Sequence, residues 1–153
     1  MNGDQRPQVL IVDDNEDIRT ILGINLGLAG LSYAEATDGT RALTMLRAHD
    51  YDACILDLTM PGASGFEVLR ELANGGRIDR PAVIVLSARG APADALEALT
   101  LGAHAHLTKP FSPSDLTELV RKLVNLAPQQ RQQRRLKAME RASSLDRYGA
   151  RSI

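Results

Sequence analysis

The sequence has almost no cysteine, no secretory signal and no long apolar run, and each absence excludes a class of protein. Its one cysteine, Cys54, has no partner for an internal disulfide and cannot form a thiolate cluster around a metal. The first residues lack the basic start and apolar stretch of a signal peptide, and no apolar segment approaches the roughly 18 residues that cross a membrane. We therefore expect a cytoplasmic protein that is neither exported nor embedded in a membrane.

Length and charge suggest one domain followed by a different segment. The 153 residues, 44% hydrophobic and 24% charged, suffice for one globular domain with a core. Residues 1–127 carry 17 acidic and 11 basic side chains, a net charge of −6, whereas residues 128–153 carry 2 and 7, a net charge of +5. Pro128 also interrupts the apolar periodicity. We predict a domain over residues 1–127 and a basic, possibly helical tail over residues 128–153.

Short apolar runs alternate with amphipathic segments along the domain. Five runs have the length of a strand, and they cover residues 9–12, 33–36, 53–56, 82–86 and 105–107. Between them, apolar residues recur three and four positions apart, as on the buried face of a helix, for example at Ile18, Ile21, Leu22 and Leu26. The run at 82–86 is apolar throughout, which is typical of a strand buried on both faces. The pattern predicts an α/β fold with a doubly wound, five-stranded parallel sheet and helices on both faces.

Glycine, proline and polar residues fall where helix ends are expected. Gly30 and Gly102 follow periodic segments as C-terminal caps do, and Pro92 suits a first helical turn. Residues 112–115 combine an N-cap serine, a proline and an acid of the capping-box type. Asp38 precedes another amphipathic segment, so we interpret it as an N-cap and not as part of a site.

Polar side chains follow four of the five predicted strands. In chain order these residues are Asp13, Asp14, Asp57, Ser87, Thr108 and Lys109. The carboxyl ends of parallel strands meet at one edge of the sheet, where open α/β sheets place their ligand sites. We therefore expect three carboxylates, hydroxyl groups and an ammonium group to converge there.

The chemistry of this set suggests a metal and a phosphoryl group. Three neighbouring carboxylates repel one another unless a cation shares the site, and Mg²⁺ is the hard cation that prefers such oxygen ligands. Lys109 and Ser87 suit the oxygens of a phosphoryl group. Asp57 would then act as a nucleophile that forms an acyl phosphate.

Each residue also has a simpler interpretation when taken alone. Asp13 and Asp14 could be acids favoured by the dipole of a following helix, and Asp57 could be a solvated acid at a strand end. Serine and lysine are common where loops begin. The shared position at one edge of the sheet favours a site over these separate explanations.

Four segments in order resemble the receiver domain of two-component response regulators. They are LIVDDNED, ILDLTMPGASG, VIVLSA and HLTKPF, within a match that runs from about residue 9 to residue 126. The resemblance implies a flavodoxin-like sheet with strand order 2-1-3-4-5. It also implies that the peptide bond between Lys109 and Pro110 is cis.

The resemblance further implies a role for each site residue. Asp57 is expected to accept a phosphoryl group from a histidine kinase or phosphotransfer protein, and Lys109 and Ser87 to bind that group. The expected Mg²⁺ ligands are the carboxylates of Asp13, Asp14 and Asp57 and the backbone carbonyl of Thr59. Such a domain is a switch and not an enzyme that turns over an external substrate.

One position departs from the pattern of the family. His106 stands where relatives commonly have a tyrosine or phenylalanine that turns inward when the strand-four hydroxyl moves to the phosphoryl group. The histidine could act in the switch as a smaller ring, could confer pH sensitivity near its ordinary pKa of about 6.5, or could be an ordinary surface imidazole. His49 and His104 lack ligand-like spacing, so we expect them to be structural.

The tail is too poor in apolar residues to form a helix-turn-helix output domain. Residues 129–142 favour helix, with Leu136 and Met139 as a weak apolar stripe. The tail could be a solvated, partly ordered appendage, or it could dock on the acidic domain or on a partner, with weak, salt-sensitive affinity for nucleic acid. Sequence-specific DNA recognition is not expected, because the tail is nearly devoid of aromatic side chains.

The expected function is that of a stand-alone receiver. It would pass its signal to a downstream protein effector through the surface of its fourth and fifth segments, with a phosphorylation-dependent homodimer as another outcome. The alternative from another class is a Mg²⁺-dependent phosphatase of the haloacid dehalogenase type. That family has an acid two residues after its nucleophile, where this chain has Thr59, and its acid pair follows the nucleophile. A receiver-like protein that never uses phosphate is a third possibility.

Overall fold

The computed structural model describes residues 6–60, 62–75, 81–88 and 92–149, with the side chains of residues 92 and 145–149 left aside. Five strands alternate with five helices in these ranges, and a further helix follows. The elements are β1 (Gln8–Val12), α1 (Glu16–Leu28), β2 (Ser32–Ala36), α2 (Gly39–Ala48), β3 (Ala53–Asp57), α3 (Gly65–Asn74), β4 (Ala82–Ser87), α4 (Pro92–Leu101), β5 (Ala105–Thr108), α5 (Pro113–Asn125) and α6 (Pro128–Gly149). The first residues of the predicted domain, 1–5, and the last residues of the predicted tail, 150–153, lie outside the described residues.

The five strands form one parallel sheet in the order β2-β1-β3-β4-β5. The predicted fold class and strand order are therefore confirmed. The central strand is β3, and its last residue, Asp57, lies opposite Leu86 of β4. Ser87 of β4 lies opposite Thr108 of β5. The strands thus end at nearly the same level, which brings the residues that follow them to one edge.

Successive side chains of each strand enter two separate hydrophobic cores, as the alternation of strand geometry requires. Leu10 and Val12 of β1 pack in one core, together with side chains of α2, α3 and α4. Val9 and Ile11 pack in the other, together with side chains of α1 and α5. Each such side chain contributes about 1.5–3 kcal/mol by leaving water. The sheet is covered on both faces, as predicted.

The helix ends follow the predicted capping signals. Asp38 caps α2 by accepting a hydrogen bond from the backbone N–H of Arg41 at 2.7 Å, and Ser112 caps α5 by accepting one from Asp115 at 3.2 Å. Gly30 and Gly102 adopt φ values of +83° and +125°, which side chains other than glycine rarely tolerate. These residues therefore stop α1 and α4 where the sequence predicts.

The apolar face of α1 differs from the predicted one. Leu22 and Leu26 are buried as expected, but Ile21 is 46% exposed. Ile21 lies with Ile24 and Leu28 on an outward-facing stripe of the helix. The predicted spacing of apolar residues on α1 was correct, but Ile21 was wrongly assigned to the buried face of the helix.

No helix in the described parts of the chain is both long and apolar enough to cross a bilayer.

The basic segment forms α6, which lies against α4 and β5. Arg135 donates hydrogen bonds to the carbonyl oxygens of Leu99, at 2.8 Å from Nε, and of Thr100, at 3.0 Å from Nη2. These carbonyls belong to the last turn of α4, where the helix dipole favours a cation. Ala142 is buried and Met139 packs against the same core as β1 and β4. The described part of the segment is therefore a docked helix.

Candidate functional site

Three carboxylates converge at the carboxyl edge of the sheet. Asp13 and Asp14 follow β1, and Asp57 ends β3, so the topology alone brings them together. Each offers an oxygen, and these oxygens lie within 4.8 Å of one another. Asp13 is fully buried, Asp57 is 4% exposed and Asp14 is exposed. The acids thus form a cluster that is open to solvent on one side.

Lys109 contacts both buried acids. Its Nζ lies 3.1 Å from Oδ2 of Asp13 and 3.3 Å from Oδ2 of Asp57. Its backbone N–H donates to the carbonyl of Ser87 at 2.8 Å, which fixes the loop after β5 to β4. The peptide bond between Lys109 and Pro110 is cis, as the family resemblance implies. One ammonium group therefore pairs with two carboxylates.

Backbone groups hold the carboxylates in place. The N–H of Thr59 donates to Oδ1 of Asp57 at 3.2 Å, and the N–H of Asn15 donates to Oδ1 of Asp13 at 2.9 Å. Arg19 donates from Nη1 to the carbonyl oxygen of Asp13 at 2.8 Å. Each side chain is thus oriented by the loop that follows its own strand.

The surroundings change the acidity of the central acid and of the lysine. Burial raises the pKa of Asp57 above its ordinary value, and the charge of Asp13 raises it further, against the opposing effects of the Thr59 N–H and Lys109. Burial alone would lower the pKa of Lys109, but its hydrogen bonds and charge interactions with Asp13 and Asp57 outweigh burial and raise it. The lysine therefore stays charged, and its single ammonium group faces two carboxyl groups.

The donor set fits a hard dication. It consists of carboxylate oxygens, and Asp14 presents its carboxylate to solvent, where an ion can enter. The one thiol of the chain, Cys54, is buried in β3, and burial raises its pKa to about 12, so it remains protonated. Oxygen donors around excess negative charge are the arrangement that Mg²⁺ prefers over softer metals.

Ser87 and His106 form a contact that the sequence did not reveal. Oγ of Ser87 lies 2.6 Å from Nε2 of His106, and the tautomer of the imidazole decides which atom donates. Ser87 is buried and His106 is half-buried. Burial lowers the pKa of His106, although the charge of Asp94 opposes this shift. The ring of His106 is therefore half-buried and bonded to the hydroxyl at the end of β4, and its role in a switch stays a prediction.

Gly65 is a second contributor that sequence reasoning missed. A Cβ atom at this position would lie 2.5 Å from the carbonyl oxygen of Asp57 and 2.7 Å from Cα of Leu58. The first residue of α3 therefore approaches the backbone that carries Asp57 as closely as only glycine allows. Its position in the segment ILDLTMPGASG was visible, but nothing in the sequence showed what it would touch.

Two histidines and one threonine considered from the sequence lie outside the acid cluster. His104 accepts a hydrogen bond from the N–H of Val83 at 3.0 Å and is buried, as expected of a structural histidine. His49 is exposed and packs edge-to-face against Tyr51. Thr108 is exposed at the end of β5.

Comparisons with known proteins agree with this geometry. Residues 9–121 match the family model described as "Response regulator receiver domain". The chain is 36% identical over 119 residues to a "Probable transcriptional regulator ycf27" of Cyanophora paradoxa, covering 78% of this chain and 48% of the relative. It is 36% identical over 117 residues to "Response regulator MprA" of Mycobacterium avium (strain 104), covering 76% and 50%. The chain thus spans about half the length of the curated relatives it matches.

Solved structures show the same architecture. The Francisella response regulator 1452 receiver domain superposes with a TM-score of 0.73 at 31% identity, over 78% of this chain and 97% of that chain. The chemotaxis response regulator CheY4 of Vibrio cholerae superposes with a TM-score of 0.72 at 28% identity, over 78% and 99%. Together with the acid cluster and lysine at the carboxyl edge of the sheet, these matches show that the chain belongs to the receiver-domain family of two-component response regulators.

Proposed function

We propose that the protein is a phosphorylation-controlled switch in which Asp57 accepts a phosphoryl group and a downstream protein detects the result. The observation that supports this most directly is the position of Asp57, buried at the end of the central strand with Lys109 3.3 Å from its Oδ2. Asp13 and Asp14 lie beside it. Membership of the receiver family implies a histidine kinase or phosphotransfer protein as the donor.

The transfer step needs an ionised Asp57. One carboxylate oxygen forms a bond to phosphorus while the bond from phosphorus to the donor's imidazole nitrogen breaks, and the electron pair returns to that nitrogen. Burial raises the pKa of Asp57, while the Thr59 N–H and Lys109 oppose this shift and favour the ionised form, and a bound cation would act in the same direction.

We infer that Asp13, Asp14 and Asp57, together with the backbone carbonyl of Thr59, hold Mg²⁺. When bound, the ion supplies positive charge to the phosphoryl oxygens and balances the excess negative charge of the cluster. The proposal rests on the oxygen-only donor set and on the exposed side of the cluster at Asp14.

Lys109 and Ser87 complete the proposed site. Nζ of Lys109, held between Asp13 and Asp57, is placed to donate to an oxygen of a phosphoryl group on Asp57. Ser87, at the end of the neighbouring strand β4, supplies a hydroxyl at the same edge of the sheet. Before phosphoryl transfer the hydroxyl of Ser87 is hydrogen-bonded to His106, so we assign both residues to the switch.

We propose that the protein accepts a phosphoryl group and does not hydrolyse external phosphomonoesters as a phosphatase does. Thr59, two residues after Asp57, contacts Asp57 through its backbone N–H and brings no acid to protonate a leaving group. The acid pair precedes the nucleophile, which also differs from the phosphatase pattern. Residues 1–127 would form the switch, and the segment from Pro128 would modify its output.

Mass spectrometry after incubation with acetyl phosphate and Mg²⁺ tests the assignment. The wild-type protein should gain one phosphoryl group, and Asp57→Asn should gain none, because the amide cannot act as the nucleophile. Asp17→Asn, which alters an exposed acid in the first turn of α1, is the matched control and should behave as wild type. Uptake by Asp57→Asn at the wild-type rate would contradict the proposal, and steady phosphate release from small phosphomonoesters would favour the phosphatase.

A further inference from the structure

The position of α6 leaves one edge of the sheet open beside it. Within the described residues β5 pairs with β4 alone, so it is an edge strand. Half of the main-chain N–H and C=O groups of an edge strand point away from the sheet and can pair with another chain. The inference below rests on the proposed function, because it concerns where a downstream partner binds.

A groove runs along this edge, between α5 on one face of the sheet and α6 on the other. We call it the edge groove, and its volume is about 550 Å³. Residues 104–107, in and just before β5, line it, together with Leu126 and Gln130 from the region where α5 leads into α6. This volume falls within the range of about 300–1,000 Å³ typical of ligand pockets.

The two walls of the edge groove differ in chemistry. Leu107 and Leu119 form an apolar wall on the side of α5. Arg134, Lys137 and Arg141, spaced three and four residues apart on one face of α6, form a cationic wall opposite. These three cations are exposed, have no ion pair among the described residues, and share the groove with no acidic side chain.

We propose that the edge groove binds an extended segment of a downstream protein, with alternating apolar and acidic side chains, as a sixth strand beside β5. Side chains of a strand point alternately to opposite faces of its sheet. An added strand would therefore direct one set towards the leucines of α5 and the other towards the cations of α6. Main-chain hydrogen bonds to β5 supply affinity in this mode, and the alternation supplies specificity.

Two alternatives fit the groove less well. Nucleic acid would be attracted by the cations, but the groove presents leucines where single-stranded binding proteins use aromatic rings for stacking. A helical segment would leave the outward N–H and C=O groups of β5 without partners. An extended acidic segment accounts for all three features: the open edge, the leucines and the unpaired cations.

The edge groove also touches the phosphoacceptor site through one residue. His106 lines the groove and bonds to Ser87 at 2.6 Å. Val85, which lies opposite His106, and Ser87 point to the same face of the sheet, so the contact is diagonal between neighbouring strands. Movement of Ser87 towards a phosphoryl group would therefore release a side chain of the groove.

The test uses a fluorescent synthetic peptide that alternates valine and glutamate over eight residues, with binding measured by anisotropy. The peptide should bind the full chain, and raising the salt from about 50 to 300 mM should weaken binding. Lys137→Glu combined with Arg141→Glu should weaken it by about tenfold or more, because both charges are reversed. Arg41→Glu combined with Arg47→Glu, on α2 near the other edge of the sheet, is the matched control and should leave affinity nearly unchanged.

Peptides with altered backbones test for strand pairing. N-methylation of alternate residues on one side of the peptide should weaken binding about fivefold or more by removing hydrogen bonds to β5, and methylation of the other side should not. Equal effects of the two methylation patterns, or of the two double charge reversals, would overturn the proposal. So would binding of an oligothymidylate, sensitive to Lys137→Glu, in place of the acidic peptide.

The two proposals fail separately. A protein that gains a phosphoryl group on Asp57 but does not bind the peptide overturns the edge-groove proposal alone. A protein that binds the peptide but gains no phosphoryl group overturns the phosphoacceptor assignment alone. Lys137→Glu with Arg141→Glu should keep wild-type phosphoryl uptake, because neither residue belongs to the acid cluster.

Discussion

The hydroxyl of Ser87 and the imidazole of His106 share a 2.6 Å hydrogen bond at the end of β4. In the tautomer whose Nε2 accepts, this bond uses the hydroxyl proton that the proposed function assigns to a phosphoryl oxygen. A net contribution of about 0.5–1.5 kcal/mol is typical for a bond of this kind. We therefore expect the free energy of breaking this bond to be a measurable part of the free energy of phosphoryl binding.

The first prediction follows from this competition. His106→Phe should raise the affinity for beryllofluoride, a phosphoryl mimic, by about fivefold, because Ser87 no longer has to leave the imidazole. The affinity can be measured by titration calorimetry in the presence of Mg²⁺.

A double-mutant cycle controls for other effects of the new ring. In the Ser87→Ala background the substitution of His106 should have no further effect on beryllofluoride affinity, since the bond is already absent. An equal gain in both backgrounds would show that the bond does not compete with phosphoryl binding.

The second prediction concerns the charge of Asp57. Because burial raises its pKa, the folded protein binds the proton more tightly than the unfolded chain, so stability falls as pH rises from the ordinary pKa through the raised one. Without divalent metal, Asp57→Asn should therefore stabilise the protein at neutral pH by about 1 kcal/mol or more, since it removes a buried charge. The advantage should shrink as pH falls through the raised pKa of Asp57 and should be absent below the ordinary value of about 3.8.

Chemical denaturation at several pH values measures this dependence. The exposed Asp17→Asn, assayed in parallel, should show no comparable gain. Stabilisation by Asp57→Asn that grows towards acid pH would contradict the predicted sign.

The third prediction concerns the attachment of α6. Arg135→Met should remove two hydrogen bonds to the last carbonyls of α4 and destabilise the docking of α6 by about 1.5–3 kcal/mol, the range for bonds with a charged donor. Hydrogen exchange should then accelerate in α6 and in the last turn of α4.

Arg134→Met provides a matched comparison on the same helix. Arg134 is exposed and lines the edge groove instead of contacting α4, so its substitution should leave the exchange of α4 unchanged. Unchanged exchange in both variants would mean that packing of Met139 and Ala142 alone holds the helix.

The fourth prediction compares two glycines. Gly65→Ala should destabilise the protein by about 1–3 kcal/mol, because the new Cβ would press on the backbone of Asp57 and Leu58. Gly27→Ala, where nothing lies within 4 Å of the new Cβ, should instead stabilise α1 by about 0.5–1 kcal/mol.

Thermal unfolding separates these two outcomes directly. If Gly65→Ala were as stable as wild type, the close approach of α3 to Asp57 would not constrain the site. Phosphoryl uptake by the same variant would show whether displacement of the loop also slows transfer.

The sequence predicted the elements whose signals are local. A strand buried on both faces leaves a continuous apolar run, which is why β4 was found within one residue of its end. Asp38 and Ser112 were identified as caps because a capping side chain acts on a backbone N–H only three residues away. The convergence of Asp13 and Asp57 followed from parallel strands, with no distance needed.

Features that depend on contacts between distant segments were not predicted. The bond between Ser87 and His106 requires the register of β4 against β5, which no local pattern contains. Arg135 reaches carbonyls 36 and 35 residues earlier in the chain. Ile21 was placed on the wrong face because three- and four-residue spacing does not define where a buried face ends.

The central place of β3 has a geometric consequence. Asp57 opens at the carboxyl ends of the strands, whereas α6 lies at the flank formed by β5, two strands away. A phosphoryl donor that approaches Asp57 at the carboxyl edge of the sheet therefore does not have to displace α6. If both proposals hold, phosphoryl transfer and binding of the acidic segment use different surfaces, so one molecule can bind its donor and its downstream partner at the same time.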